Sequence, residues 1–375
     1  MQNLKAKCHF VLILLFSINT FAVFSSVDEE EGQGGHDQAT LEVLEFMARP
    51  KKLQPDQKEI QYVLSYGVRA RAQDSFREGE TSSTHRRTQQ QIKLLLTIPL
   101  NEYTSVHLHG QTGSESFGGG WDNQFDLGDD SDGGFGFRLR RAFVHYDNKE
   151  TKILAQAGAI PVASPSSIRA NLQVDRDGWL DGFRLGLNEI MDKNHNINIS
   201  FGNLNRSAPA SVYNRDVFKV SDYDYIQIEI QGAVTDNIAY QLQYDDFDGE
   251  EYISGIIQSS VNKMTSALFD IIQLETIYSL DSSGIVGKTL TATKFHNDKK
   301  ISVGLSQNEL EFERNEYTNG FFDAPGTSIF AMIQGDLFNT DLSYAGRVRY
   351  CISPSECMDS YRLGIAIRGK TKGWF

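Results

Sequence analysis

Cysteine, proline and methionine are scarce in this 375-residue chain, at 3, 8 and 6 residues. Three cysteines cannot build a disulfide-stapled scaffold. One of them, Cys8, lies in the leader described below; the other two, Cys351 and Cys357, are close enough in sequence to close a small loop in an oxidising compartment. Long apolar runs are missing as well. Past the leader nothing approaches the run of about 18 apolar residues a membrane helix needs, the richest stretch being residues 92–100. A membrane-embedded form must therefore cross with strands. Positive charge is also in deficit: the net charge is −13, and losing Lys5 and Lys7 with the leader makes it two units more negative. That balance argues against nucleic acid as a partner.

What the chain does have is 32 glycines, 23 phenylalanines and 15 tyrosines, a composition that suits many aromatic strands joined by glycine-bearing turns. Residues 1–26 read as a signal peptide: Lys5 and Lys7, an apolar run from Val11 to Phe16, then small residues at Ala22, Ser25 and Ser26. Residues 27–59 are polar and acidic, with one short helix-like piece carrying Leu41, Leu44 and Met47. We read them as a periplasmic extension, with a lumen plug or an oligomerising helix as sharper alternatives.

From Ile60 onward the hydrophobic period is two. Tyr62, Leu64, Tyr66, Val68 and Ala70 share one face, opposite Gln61, Ser65, Gly67, Arg69 and Arg71. In the next segment Ile92, Leu94, Leu96 and Ile98 stand opposite Arg87, Gln89, Gln91 and Lys93. Strands with one apolar and one wet face recur to the C-terminus, and counting backwards gives sixteen, with 251–261 and 284–296 the weakest in pattern. Short connections alternate with long ones, as they must when both ends of a barrel lie on the periplasmic side; only the region 246–284 lacks the contrast. Residues 60–375 are thus expected to form an all-β transmembrane barrel of about sixteen antiparallel strands in the cell outer membrane.

Such a barrel is too wide for side chains to fill, so a water-filled passive diffusion channel for small hydrophilic solutes is the expected function, with no cofactor and no catalysis. The polar phase of the strands carries Arg69, Arg71, Arg87, Lys93, Arg138, Arg140, Arg184, Arg347, Arg349, Arg362 and Arg368 against Glu229, Asp245 and Glu275. A guanidinium-rich wall favours anions that have shed part of their hydration; alternatively, these residues pair with acidic loop residues folded inside. The third long connection, 161–177, carries Arg169, Asp175 and Arg176 and is the candidate constriction loop.

One stretch carries a family resemblance. Residues 137–146 (FRLRRAFVHY), a short turn and residues 153–161 (ILAQAGAIP) resemble the paired-strand signature of the phosphate-selective porins of the O and P type. The resemblance implies a sixteen-stranded trimeric channel with an arginine-lined pore, in which Arg140 and Arg141 match the double arginine of the signature. The chain departs from it at Phe143 and Ala159. The terminal Phe375 resembles the sorting signal read by barrel-assembly machinery. Expected partners are accordingly that machinery, outer-membrane lipid and lipopolysaccharide, further copies of the chain in a homotrimer, and small anionic or polar solutes.

Other chemistry was weighed. Asp130/Asp132/Gly133, Asp175/Asp177/Gly178 and Asp246/Asp248/Gly249 could hold calcium, but Asp-Gly is also ordinary hairpin vocabulary. His107 and His109 share a strand face without an evident third metal ligand. A barrel enzyme or a receptor or adhesin with a sealed lumen are the rival classes, and no motif marks a nucleophilic serine.

Overall fold

A computed structural model describes residues 59–374 apart from the connecting segments 77–82, 113–121, 127–136, 166, 169–171, 173–177, 191–194, 205–210, 216, 218–222, 262–267, 283, 297–298, 310–325, 337–341 and 353–358. The signal peptide and nearly all of the extension expected over 27–59 lie outside the described residues, as does Phe375.

The described chain is strand after strand: β1 (Gln61–Phe76), β2 (Ser83–Pro99), β3 (Thr104–Gln111), β4 (Asp122–Asp126), β5 (Arg138–Asn148), β6 (Ile153–Pro161), β7 (Trp179–Glu189), β8 (His195–Asn203), β9 (Tyr225–Thr235), β10 (Ile238–Phe247), β11 (Glu250–Ser260), β12 (Ile271–Ser279), β13 (Gly284–His296), β14 (Lys299–Asn308), β15 (Gly326–Asp336), β16 (Leu342–Cys351) and β17 (Asp359–Trp374). A single 3-10 turn, Val212–Asn214, is the only helical element longer than one residue among the described residues. Neighbours pair antiparallel throughout, and β1 pairs with both β2 and β17, so the sheet closes on itself.

Seventeen segments make sixteen staves because β3 and β4 are collinear. Both pair with β2, β3 through Lys93↔Gln111 and beyond, β4 through Gln90↔Asp122 to Arg87↔Asp126. The third stave, expected to end near residue 113, continues in β4 after ten intervening residues. The two weakest strand expectations, 251–261 and 284–296, correspond to β11 and β13.

Alternation fixes which face is which. Tyr66, Val68, Leu185, Leu187, Ile226, Ile228, Ile365 and Ile367 are each at least 40% exposed, all on the outward phase. The opposite phase is polar: Gln61, Thr97, Gln156, Asn198, Ser200, Gln227 and Gln241 point inward and are buried. An apolar outside with a polar inside inverts the arrangement of a water-soluble sandwich and suits lipid.

The missing contrast between 246 and 284 has a simple cause. There the outward-end connections are themselves short. β10 and β11 meet in a two-residue turn whose Asp248 and Gly249 both have positive φ, 52° and 92°, the combination a tight hairpin requires. The Asp246 carboxylate caps it by accepting the Gly249 N–H at 2.8 Å.

Candidate pore interior

The described residues of the connection from β6 to β7, 162–165, 167, 168, 172 and 178, lie against the inner wall. Its Ser164 and Ser167 hydroxyls both donate to the Glu229 carboxylate on β9, the second at 2.5 Å. The Ile168 N–H donates to Gln241 Oε1 on β10 at 2.7 Å, and the Leu172 N–H to Glu275 Oε2 on β12 at 2.8 Å. The Leu172 side chain then packs into an apolar patch of the wall with Tyr252, Ile277, Val286 and Phe330. Gly287 lies beside it, where an added Cβ would meet Leu172 Cδ1 in ordinary contact at 3.5 Å.

Buried arginines hold the two roots of this connection. Arg184 on β7 is fully buried and bonds the carbonyls of Pro161, Val162 and Ala163 at its start. Arg141 on β5 donates twice to the Gly178 carbonyl at its end, at 3.0 and 2.6 Å. Arg184, expected on the solvent-facing wall, lies buried beneath the loop root. Arg169, Asp175 and Arg176 of the same connection lie outside the described residues.

The remaining basic residues fall into three groups. Arg69, Lys93, Arg138 and Arg347 are half-buried on the inward phase, with Arg69 Nε donating to Gln89 Oε1 at 2.7 Å, and Arg349 is more deeply buried on the same wall. Arg71 and Arg87 are cross-strand partners on β1 and β2, and Arg362 and Arg368 lie on β17, but these four side chains are not among the described ones. Arg140 and Arg141 sit at a β-bulge: His109 pairs with Arg141 but Gly110 pairs with Leu139, leaving Arg140 as the extra residue. The bulge switches the inward phase from Arg138 to Arg141. A strict period of two had set Arg138 and Arg140 together.

The three acidic residues expected on the polar phase, Glu229, Asp245 and Glu275, are all buried and engaged. Glu229 holds the loop serines and accepts a weak bond from Asn198 at 3.4 Å. Asp245 accepts from the Tyr225 hydroxyl at 2.8 Å and from Gln243 Nε2 at 2.7 Å. Glu275 also takes Gln273 Nε2 at 2.8 Å.

His107 has both ring nitrogens within reach of wall hydroxyls, Thr97 at 3.2 Å and Ser105 at 2.8 Å, and stacks on Phe143 at 4.9 Å. His109 is buried on the same face. No group of three or more histidine, cysteine or acidic residues among the described residues is placed to hold a metal ion. Asp130, Asp132, Asp175 and Asp177 lie outside the described residues. Cys351 is disulfide-bonded, while Cys357 lies outside them.

A closed sixteen-strand antiparallel barrel, lipid-compatible outside and polar inside, with an outer connection laid along its inner wall, is the architecture of a porin. Three solved porins are similar to this chain in fold. A mutant of the Rh. blastica porin superposes with a TM-score of 0.52 at 11% identity, covering 82% of this chain and all of that one. OprB of Pseudomonas putida at high pH gives 0.54 at 13% identity, with 84% and 94% covered. OmpF of Salmonella typhi, in complex with daunomycin, gives 0.51 at 11% identity, with 82% and 97% covered. No family model and no curated protein matches the chain.

Proposed function

We propose that this chain is an outer-membrane porin, a passive diffusion channel for small hydrophilic solutes with a preference for anions of phosphate-like or organic type. The observation that carries the reading is the closed barrel with apolar residues outside and polar residues inside. Sixteen staves enclose a space that wall side chains cannot span. The anion preference is supported by the distribution of charge. Half-buried Arg69, Lys93, Arg138 and Arg347 stand on the inward phase of β1, β2, β5 and β16, while Glu229, Asp245 and Glu275 on β9, β10 and β12 are buried. Basic groups on the inward phase can replace part of an anion's hydration.

The proposal includes export by the signal peptide, insertion by barrel-assembly machinery, contact with lipid and lipopolysaccharide, assembly as a homotrimer, closure of Cys351 onto Cys357, and no catalytic activity. Purified protein in a planar bilayer tests it directly. Stepwise ohmic conductance is expected, with a reversal potential in a salt gradient displaced toward the anion. A silent bilayer would sink the channel, and displacement toward the cation would sink the anion preference.

A further inference from the structure

The outer wall carries a polar row where lipid is expected. Thr276 on β12 pairs with Lys288 on β13, Lys288 with Gln307 on β14, and Gln307 with Thr327 on β15, so four neighbouring strands hold these residues at one level. Two positions along each strand, toward the barrel end that holds Gln61 and Trp374, the next row in the same register is Leu274, Leu290, Leu305 and Ile329. Those four are 44–49% exposed and mark the lipid-facing phase.

A β-bulge aims the lysine. Ile277 pairs with Gly287 but Tyr278 pairs with Ile285, leaving Val286 as the extra residue, so Ile285 and Lys288 are both exposed although three positions apart. A strict alternation counted from Ile285 would have turned Lys288 into the lumen. Among the described residues no hydrogen bond or ion pair engages the Lys288 ammonium, and the exposed Glu309, one row nearer the rim, forms no ion pair with it. An ammonium among leucines on a lipid face is costly unless its stem reaches an anion at the interface.

The row lies toward the barrel end remote from both chain termini, which is the cell-exterior end when the termini are periplasmic. Its chemistry describes a ligand. The ammonium asks for an anionic oxygen, Thr276, Gln307 and Thr327 ask for hydroxyl or amide partners at the same depth, and the leucine row beneath asks for acyl chains. Four strands at about 4.8 Å spacing span roughly 14 Å, the width of a sugar headgroup and more than a glycerol phosphate fills.

We propose that Thr276, Lys288, Gln307 and Thr327 form a headgroup site for a phosphorylated, acylated sugar of the outer leaflet, a glycolipid of the lipid A class, with the leucine row receiving its acyl chains. The inference rests on the barrel reading above and gives the lipopolysaccharide contact a place on the wall.

The test takes the full-length barrel in detergent micelles and titrates it, by native mass spectrometry, with bisphosphorylated lipid A, the same lipid A stripped of phosphate, and phosphatidylglycerol. The unaltered barrel should hold bisphosphorylated lipid A several-fold more tightly than either of the others. Lys288→Met should weaken that binding by about fivefold, the size of one lysine–headgroup contact, and leave the dephosphorylated lipid unaffected. Thr276→Val/Gln307→Leu keeps the charge and should lose the preference over phosphatidylglycerol. Lys299 is exposed at the opposite end of β14, so Lys299→Met should change nothing. Equal binding of bisphosphorylated lipid A by the Lys288→Met and unaltered barrels overturns the proposal, as does an unaltered barrel that binds phosphatidylglycerol or the dephosphorylated lipid equally well. Should Lys288→Met lack the heat-modifiable band, Lys288→Gln decides by the same readings. An unaltered chain that shows no heat-modified mobility and stays dissolved without detergent defeats the barrel reading instead.

Discussion

The guanidinium of Arg215 lies 4.3 Å over the ring of Trp179, with its Nε 2.9 Å from the Asp181 carboxylate. Trp179 and Asp181 are in phase with the exposed Leu185 and Leu187, so this contact is made on the outward side of β7. The Arg215 Nη2 also donates to the Arg140 carbonyl at 2.6 Å, and Tyr223 packs near Phe183 and Phe201, whose outward-facing rings stack at 5.4 Å. Part of the connection between β8 and β9 is therefore drawn over the outer wall. Burial lowers the Arg215 pKa to about 10 although Asp181 pulls it upward, so the group stays charged at neutral pH. Truncating one partner of a buried pair leaves the other charge uncompensated, at a cost of about 3 kcal/mol. Arg215→Ala should lower the denaturant midpoint in detergent micelles accordingly, and Arg215→Lys should recover only part of the loss because it cannot both stack and fork. Unchanged midpoints would show that the contact contributes nothing.

Most of the barrel was legible in the sequence because one physical signal, alternation, repeats along every stave. Tyr66 and Val68 point out and Gln61 points in because lipid and a polar interior sort neighbouring residues oppositely. Where that signal is interrupted, reading fails. β4 was missed because a connection splits its stave, and Arg140 was given the wrong neighbour because one extra residue in a bulge reverses the phase. The fate of Arg184 was out of reach for a different reason. Period two can say that it faces inward, but not that a connection beginning at Pro161 would bring three carbonyls to it.

Gly158, inside the signature-like segment, is a second such case. Its φ of 123° is disfavoured for residues with a Cβ, and a Cβ there would lie 2.4 Å from the Ala142 carbonyl oxygen. Gly158→Ala must move the β5–β6 pairing or strain it, at about 2 kcal/mol. Gly255 on β11 supplies the control: a Cβ there would meet Thr276 Oγ1 at 3.5 Å and Leu242 Cδ2 at 3.6 Å, ordinary contact. Gly255→Ala should fold like the unaltered protein, and comparable losses at both positions would refute the steric account.

Asp270, just before β12, predicts an acid dependence. Burial by itself would raise its pKa, but the Lys294 ammonium at 2.8 Å and the Phe295 N–H at 2.6 Å outweigh that and hold it below the usual carboxylate value. A carboxylate with a depressed pKa stabilises the folded state fully above its unfolded value of 3.8, and the contribution fades as pH falls through the lower, folded one. Asp270→Asn should therefore be less stable than the unaltered protein at neutral pH, with the gap narrowing only below the ordinary carboxylate range. A gap that does not change with pH would mean that the ion pair is not its source.

The assignment of the two faces can be tested with one substitution placed twice. Ile228, in the middle of β9, is 40% exposed on the outward phase, whereas Ser65 on β1 is half-buried on the inward phase, away from the β6–β7 connection. An arginine on the lipid face of a barrel costs about 2–4 kcal/mol near the bilayer midplane, because its charge must be drawn to the interface or hydrated in hydrocarbon. The same side chain on the inner face can extend into a polar lumen and keep its water. Ile228→Arg should thus lower folding yield and denaturant midpoint in lipid vesicles, while Ser65→Arg should fold normally and shift the reversal potential further toward the anion. In a water-soluble molecule the order would invert, since the exposed face would accept the charge and the inner one would not. Normal folding of Ile228→Arg beside failure of Ser65→Arg would therefore overturn the membrane-embedded barrel itself.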